Sequence, residues 1–194
     1  FVDCCRGRAD LCPPQFSDFL RKISPIADKT FNVFFVCTGN SARSIIAETI
    51  LRDRVDDKFT AYSAGTAHRP ELNPFAVEML RSKGHDVSLL RSKNIAEFQG
   101  ADAPRMDFVF TVCNRAANEE CPTWSGQPVS GHWGMPDPVK AEGTDAQQRL
   151  AFHQIYTALH DRIMAFSALS FDNLDRGSLQ KRVDKIGNET VKQE

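Results

Sequence analysis

The chain has 194 residues, of which 41% are hydrophobic, and its 24 Lys and Arg residues nearly balance its 25 Asp and Glu residues. This length fits one domain with a sizeable core. The balanced charge argues against a protein that binds nucleic acid or a membrane surface, because both usually require a basic excess. No apolar run approaches the roughly 20 residues of a membrane-spanning helix, and residues 1–10 lack the pattern of a secretion signal. These features predict a soluble cytoplasmic protein.

Residues 1–30 differ in composition from the rest of the chain. They hold three of the six cysteines, Cys4, Cys5 and Cys12, followed by one short amphipathic stretch. Three cysteines would need a fourth ligand from elsewhere to hold a metal ion such as zinc. We therefore interpret residues 1–30 as an N-terminal extension and predict no metal site in it.

From Phe31 onward, apolar strands alternate with helical patterns. The run from Val33 to Cys37 is typical of a strand that is covered on both faces. The other predicted strands are residues 60–64, 108–113 and 129–133. The predicted helices are residues 44–55, 73–83 and 144–168, the last with Leu150, Ile155, Leu159, Ile163 and Phe166 on one face.

This alternation predicts an α/β domain over residues 31–169. Strands joined by helices form right-handed βαβ units, so we expect a parallel sheet with helices on both faces. Residues 170–194 are predicted to form a C-terminal tail with one short helix. In such sheets, ligands bind beyond the carboxyl ends of the strands, and Cys37 and Cys113 both end predicted strands there.

The segment after Cys37 has the features of an oxyanion-binding loop. Its amide groups can surround a tetrahedral anion as the chain turns into the next helix, and the Arg43 guanidinium can grip two of the anion's oxygens. The same positive field is expected to lower the pKa of the Cys37 thiol and make it a nucleophile, with a hydrogen bond from Ser44. The predicted anion-binding residues are Thr38, Gly39, Asn40, Ser41, Ala42, Arg43 and Ser44.

Two further segments supply candidate catalytic groups. Asp137 lies between two prolines, so it is held rigidly enough to act as a general acid if its loop overhangs Cys37, although such a sequence is also ordinary turn chemistry. Cys113 is followed eight residues later by Cys121. Eight residues of helix would separate their sulfurs by about 12 Å, beyond disulfide reach, so a bond between them requires local unwinding.

Together these motifs resemble the low-molecular-weight tyrosine phosphatase superfamily and, within it, the phosphatase-like arsenate reductases. The resemblance spans roughly residues 32–168. The matching motifs are VCTGNSARS at 36–44, AE at 47–48, SAG at 63–65, TVC at 111–113, CP at 121–122, HWG at 132–134 and DP at 137–138, the last four being similar to the reductase branch. The resemblance implies a four-stranded parallel sheet flanked by helices.

Carried over to this chain, the resemblance implies that Cys37 attacks the arsenic of arsenate while Arg43 and the loop amides hold the anion. Asp137 would protonate the departing oxygen. Cys113 would then attack Cys37 and release arsenite, and Cys121 would take over the disulfide for an external reductant. One new disulfide supplies the two electrons that reduction of arsenate to arsenite needs.

This sequence departs from the family pattern at two places. Ala42 stands where many relatives have a second loop cysteine, so no disulfide can form within the loop. The interval between Cys113 and Cys121 is one residue longer than in thioredoxin-coupled relatives. We therefore expect thioredoxin, or glutathione with glutaredoxin, as the external reductant and no bound cofactor or metal. Whether a cation orders the loop near Asn40 and Glu48, as in some relatives, stays open.

Two other functions are weighed against arsenate reduction. Phosphate and arsenate are near-isosteres, so a phosphatase could hydrolyse phosphate monoesters through a Cys37 phospho-enzyme. Val139 stands where phosphatase relatives usually carry an aromatic residue, and a phosphatase has no need of Cys113; both features favour the reductase. A non-catalytic sensor of oxyanions or arsenite, using the three N-terminal cysteines, would need neither an activated nucleophile nor a poised acid.

Overall fold

The computed structural model describes residues 30–55, 57–113, 124, 126–171 and 173–189. The predicted N-terminal extension lies outside these ranges except for Thr30, and so do its three cysteines. The sheet consists of β1 Phe31–Cys37, β2 Phe59–Gly65, β3 Phe108–Thr111 and β4 Val129–His132.

All neighbouring strands pair in parallel, in the order β2-β1-β3-β4. The chain therefore builds the sheet first to one side of β1 and then to the other, and such a switch point opens a crevice at the carboxyl ends of the two inner strands. Cys37 is the last residue of β1, and Cys113 lies two residues beyond the end of β3. The predicted parallel α/β fold is confirmed.

β3 ends at Thr111, two residues earlier than predicted. The Val112 amide still donates to the carbonyl oxygen of Val36 at 2.9 Å. Beyond that point β1 turns into the loop after Cys37, so β3 has no further strand to pair with on that side. Cys113 is consequently a loop residue rather than a strand residue.

In the described part of the chain, four α-helices lie around the sheet: α1 Arg43–Arg54, α2 Pro74–Ser82, α3 Asp145–Ser167 and α4 Arg176–Asn188. The Asn73 side chain caps α2 by accepting the Phe75 amide at 3.0 Å, as its position before a proline predicts. None of the described helices combines the length and the apolar character that a membrane-spanning segment requires.

Aromatic side chains fill the core on both faces of the sheet. Phe166 of α3 packs against the rings of Phe59, Phe108, Phe110 and Trp133. On the opposite face, Phe34 packs against Phe98, which belongs to the short 3-10 helix Ile95–Phe98. Trp133 is fully buried and stacks on Phe110 with the ring centroids 3.9 Å apart, so it belongs to the core.

The prediction that Leu150 belongs to the buried face of α3 is wrong, because its side chain is 56% exposed. Leu150 and Leu159 are nine residues apart, which is two and a half turns of an α-helix, so they point to opposite sides. The face of α3 that is buried consists of Phe152, Ile155, Tyr156, Leu159, Ile163 and Phe166.

The predicted C-terminal helix, α4, packs closely on β4. Gly131 of β4 permits this approach, because an added Cβ would lie 2.6 Å from Cγ1 of Val183 and 3.0 Å from the Phe110 ring. Arg162 of α3 joins the same layer, with Nη2 donating to the carbonyl oxygen of Gly187 at 3.3 Å and Nη1 contacting Sδ of Met135 at 2.9 Å. α4 is therefore part of the hydrophobic core of the domain.

We expect Gly131→Ala to destabilise the protein by about 1–3 kcal/mol, because the added methyl group overpacks the contact between β4 and α4. Urea unfolding would measure the loss of free energy. Gly100→Ala is the matched control, since an added Cβ there meets no atom within 4 Å. Equal stability of the two variants would contradict the close packing described.

A buried histidine joins three helices outside the crevice. His85 follows α2, and its Nδ1 lies 2.9 Å from Oδ2 of Asp53 in α1 while its Nε2 lies 2.8 Å from the hydroxyl of Tyr156 in α3. Burial lowers the pKa of His85, which outweighs the opposing effect of Asp53. A neutral ring can donate to Asp53 and accept from Tyr156, so both of its nitrogens are satisfied. No pattern in the sequence pointed to this cluster.

Folding stability is expected to fall as the pH decreases below about 6.5. The unfolded chain takes up a proton on His85 near that pH, whereas the folded protein does so only at lower pH, so acid favours unfolding. We expect His85→Asn to cost about 1–3 kcal/mol at pH 7.5 and less at pH 5.5, measured by urea unfolding. His68→Asn, at an exposed position outside this cluster, is the control; the same pH dependence in both variants would exclude this role of His85.

Candidate active site

The loop between β1 and α1 lies at the crevice that the sheet order creates. It comprises residues 38–42 and is bordered by Cys37 and Arg43. β2 ends directly beside it, because a Cβ added to Gly65 would lie 2.5 Å from the carbonyl oxygen of Thr38 and 3.0 Å from the Asn40 nitrogen. Only a glycine lets the two backbones come this close.

The carbonyl groups of this loop are turned to one side. Those of Cys37, Thr38, Gly39 and Ser41 accept hydrogen bonds of 2.9–3.1 Å from amides in residues 66–73. In a planar trans peptide the N–H of the following residue points the opposite way. The amides of residues 38, 39, 40 and 42 therefore face away from residues 66–73, and their partial positive charges form an anion-binding concavity.

Cys37 lies within this concavity. Its Sγ accepts the amide of Asn40 at 3.0 Å and lies 2.9 Å from the hydroxyl of Ser44, the second residue of α1. Its side chain is almost completely buried. Ser44 is thus within hydrogen-bonding distance of Cys37, as the sequence predicts, and the Asn40 amide shows which way the loop amides point.

The prediction that the pKa of Cys37 is lowered is wrong. Burial raises the pKa of this thiol, because a thiolate loses its hydration there. The hydrogen bonds from Ser44 and Asn40 and the charge of Arg43 all lower it, and Cys113 raises it further. The sequence showed the groups that stabilise the thiolate but not how completely the sulfur is buried.

Arg43 connects the loop to the segment that carries Asp137. Its Nη2 lies 3.1 Å from Oδ2 of Asp137, and its Nη1 donates to the carbonyl oxygen of Met135 at 2.9 Å. The Asp137 side chain also accepts the Val139 amide at 3.3 Å. Asp137 therefore lies over the end of the loop, where a general acid would have to be. The turn that its flanking prolines favour is also formed.

A cavity of about 580 Å³ lies above Cys37. Cys113 is in its wall, and Sγ of Cys113 lies 3.7 Å from the hydroxyl oxygen of Thr38. Both cysteines are buried. The remaining wall is formed by the loop together with Ala67, Arg69, Met135, Pro136, Asp137, Val139 and Lys140.

The structure thus brings together most of the predicted site residues. Those that line the cavity are Cys37, Thr38, Gly39, Asn40, Ser41, Ala42, Arg43, Cys113 and Asp137. Ser44 is fully buried behind the loop and reaches the cavity only through Cys37. Cys121 lies outside the described residues, so its predicted part in the relay stays a prediction.

Sequence reasoning did not identify Ser63 as a hydrogen-bonding residue or Lys93 at all. Both are buried polar residues behind the loop, and the Lys93 ammonium group contacts the carboxylate of Glu48. The sequence left open whether a cation lies near Asn40 and Glu48. In the structure, the ammonium group of Lys93 supplies a positive charge at this place. Among the described residues, no cluster of His, Cys, Asp and Glu has the arrangement of a metal site.

The chain matches known proteins over most of its length. An arsenate reductase of Bacillus licheniformis is 38% identical over 136 residues, which are 70% of this chain and 94% of that protein. A solved arsenate reductase in the phosphate-binding state is 27% identical with a TM-score of 0.57, covering 72% of this chain and 98% of the other. A thioredoxin-dependent arsenate reductase of Corynebacterium glutamicum is 22% identical with a TM-score of 0.52, covering 72% and 61%, and this likeness shows the fold alone.

Residues 32–182 match the family model described as low molecular weight phosphotyrosine protein phosphatase. This match covers well over half of the chain, and it includes the loop, both cysteines of the cavity and the segment of Asp137. The chain belongs to the low molecular weight phosphotyrosine protein phosphatase family.

Proposed function

We propose that this protein is an arsenate reductase. The observation that carries the proposal is the presence of two buried cysteines, Cys37 and Cys113, in the wall of one anion-binding cavity. Reduction of arsenate consumes two thiols for each turnover, whereas hydrolysis of a phosphate ester by a covalent mechanism needs one nucleophile. The similarity to the arsenate reductase of Bacillus licheniformis supports the same function.

The first step is the binding of arsenate and its attack by Cys37. The loop amides and the Arg43 guanidinium hold the anion's oxygens, and the sulfur forms a bond to arsenic. An oxygen of arsenate leaves as water, with Asp137 as the proposed proton donor. Arg43 has five N–H donors in a planar fork, so it can contact the anion while it keeps Met135 and Asp137 in place.

The second step transfers two electrons. Cys113 attacks the sulfur of Cys37, the new S–S bond forms, and the electron pair of the S–As bond goes to arsenic. Arsenic(V) becomes arsenic(III) and leaves as arsenite. In sum, one arsenate and two thiols give one arsenite, one disulfide and one water, so atoms and electrons balance.

Regeneration of the thiols requires an external thiol reductant. Because Cys37 and Cys113 are both buried in the cavity, a protein such as thioredoxin would need the disulfide to be passed to Cys121 first. A small thiol such as glutathione, with glutaredoxin, would instead enter the cavity and attack the disulfide directly. The Corynebacterium glutamicum arsenate reductase that shares this fold is thioredoxin-dependent, so thioredoxin is the first reductant to test.

The described cavity wall favours arsenate over an aromatic phosphate ester. Its apolar lining residues include Ala67, Met135, Pro136 and Val139. An aryl phosphate gains much of its affinity from aromatic side chains that stack on its ring, and none of the described lining residues is aromatic. The phosphatase alternative is favoured only by features that both activities share, namely the loop and the family match.

We expect Cys113→Ser to abolish steady-state arsenite release while hydrolysis of p-nitrophenyl phosphate, which needs only Cys37, continues. Cys37→Ser should lose both reactions, because it removes the nucleophile. Arsenite would be measured with thioredoxin and, separately, with glutathione and glutaredoxin as the reductant. If the unchanged protein hydrolyses the phosphate ester but releases no arsenite with either system, the protein is a phosphatase and not a reductase.

We expect Ser44→Ala to raise the pKa of Cys37 further, by about 1–2 pH units, because a hydrogen bond to a charged group contributes about 1.5–3 kcal/mol. The rate of alkylation by iodoacetamide as a function of pH reports this pKa. Ser167→Ala is the matched control, since it makes the same change in a helix far from the cavity. An unchanged pKa in Ser44→Ala would show that Ser44 does not stabilise the thiolate.

A further inference from the structure

Lys93 and Glu48 form an ion pair behind the anion-binding loop. The Lys93 ammonium nitrogen lies 2.9 Å from Oε1 and 2.8 Å from Oε2 of Glu48. The two side chains are only 10% and 13% exposed. Such a buried pair is a weak source of stability, because desolvation of both charges offsets their attraction. We therefore look for the role of this ion pair in its hydrogen bonds to neighbouring polar groups.

A continuous chain of hydrogen bonds runs from this pair to the nucleophile. Oε2 of Glu48 accepts the hydroxyl of Ser63 at 2.6 Å. Nδ2 of Asn40 donates to Ser63 at 2.8 Å and to Ser44 at 2.9 Å. Ser44 lies 2.9 Å from Sγ of Cys37. Asn40, Ser44 and Ser63 are all fully buried, so water does not compete for these bonds.

The charge of Glu48 fixes the direction of every bond in this chain. A carboxylate only accepts, so Ser63 must donate its single proton to Glu48. The Ser63 oxygen is then an acceptor for one N–H of Asn40, and the second N–H of Asn40 goes to the Ser44 oxygen. The proton of Ser44 is thereby left to point at Cys37, which is the direction that stabilises a thiolate.

Lys93 also fixes the amide of Asn40 through its backbone. The Lys93 N–H donates to Oδ1 of Asn40 at 2.7 Å, so the amide cannot turn its oxygen toward the serines. Asn40 has a φ of +42°, a left-handed conformation that holds its own N–H on Sγ of Cys37. Both donors to the sulfur consequently depend on how Asn40 is held.

We propose that Glu48 and Lys93 are positioning residues that orient the hydrogen bonds of Ser44 and Asn40 toward the Cys37 thiolate. The proposal rests on the proposed function only in that Cys37 is the nucleophile, and it holds equally for reduction or hydrolysis. Neither side chain touches the cavity, so both act through Ser63 and Asn40.

Other charged and titratable groups face the residues concerned. Around Cys37 these are Arg43 and Cys113, with Asp137, Arg69 and Lys140 on the cavity wall. The charge of Glu48 also acts on Arg52 and Arg91, and that of Lys93 acts on Glu97. All of these groups stay unchanged in the variants that follow, Arg91 excepted in its own control.

Glu48→Gln distinguishes orientation of the hydrogen bonds from a simple effect of charge. Removal of a negative charge by itself would lower the pKa of Cys37. In the variant, however, the Lys93 ammonium attracts the amide oxygen, so the amide nitrogen faces Ser63 and donates to it. Ser63 then receives two donors, and the bonds through Asn40 to Ser44 are disrupted. We expect the pKa of Cys37 to rise by about one pH unit, with roughly tenfold slower alkylation at pH 7.

The double variant Glu48→Gln/Lys93→Met tests the part of Lys93. Without the ammonium group, the glutamine can turn its oxygen to Ser63 and restore the original direction of the bonds. We expect the pKa of Cys37 to return to within about half a pH unit of the unsubstituted protein. This variant leaves no unpaired buried charge, so it also guards against a failure of the single variant to fold.

The readout is iodoacetamide alkylation of Cys37 against pH in the full chain without substrate, with thermal unfolding as a check on folding. Arg91→Met is the control, because it breaks the exposed pair of Arg91 and Glu97 two residues away. A lower or unchanged pKa in Glu48→Gln overturns the proposal, and an unrestored pKa in the double variant overturns the role of Lys93. Because no arsenate is used, these outcomes are independent of whether the protein reduces arsenate.

Discussion

The site depends on the backbone contact between the loop after β1 and residues 66–73. Four loop carbonyls are fixed by amides of that segment, and peptide planarity then sends the loop amides to the other side. The orientation of the loop amides therefore does not rely on side chains that must find their rotamers. It follows from main-chain geometry, which is why the loop tolerates residues as small as Gly39 and Ala42 and why β2 must end in Gly65 beside it.

Cys37 lies where burial destabilises its thiolate form. A sulfur buried this deeply loses hydration that stabilises a thiolate, and the loop compensates with directed donors from Ser44 and Asn40 and with the charge of Arg43. The proton affinity of Cys37 is therefore set by the balance between its burial and a few oriented hydrogen bonds.

The sequence was sufficient for features that arise within a short stretch of chain. The β1 strand, the loop that follows it and the Asn73 cap of α2 are local patterns, and the structure has them where they were predicted. Features that depend on distant residues were not predictable. Lys93 contacts Glu48 across 45 residues of sequence, and His85 contacts Tyr156 across 71. The burial that raises the pKa of Cys37, against the predicted direction, is a property of the whole domain.

The C-terminal helix affects the segment that carries Asp137, the proposed proton donor, rather than Cys37. Arg162 holds the sulfur of Met135 with one nitrogen and the carbonyl of Gly187 with another, so the last turn of α4 buttresses the segment that leads to Asp137. Because Arg43 is bound to Met135 and Asp137 in turn, the end of α4 supports one wall of the cavity although it lies outside the cavity lining itself.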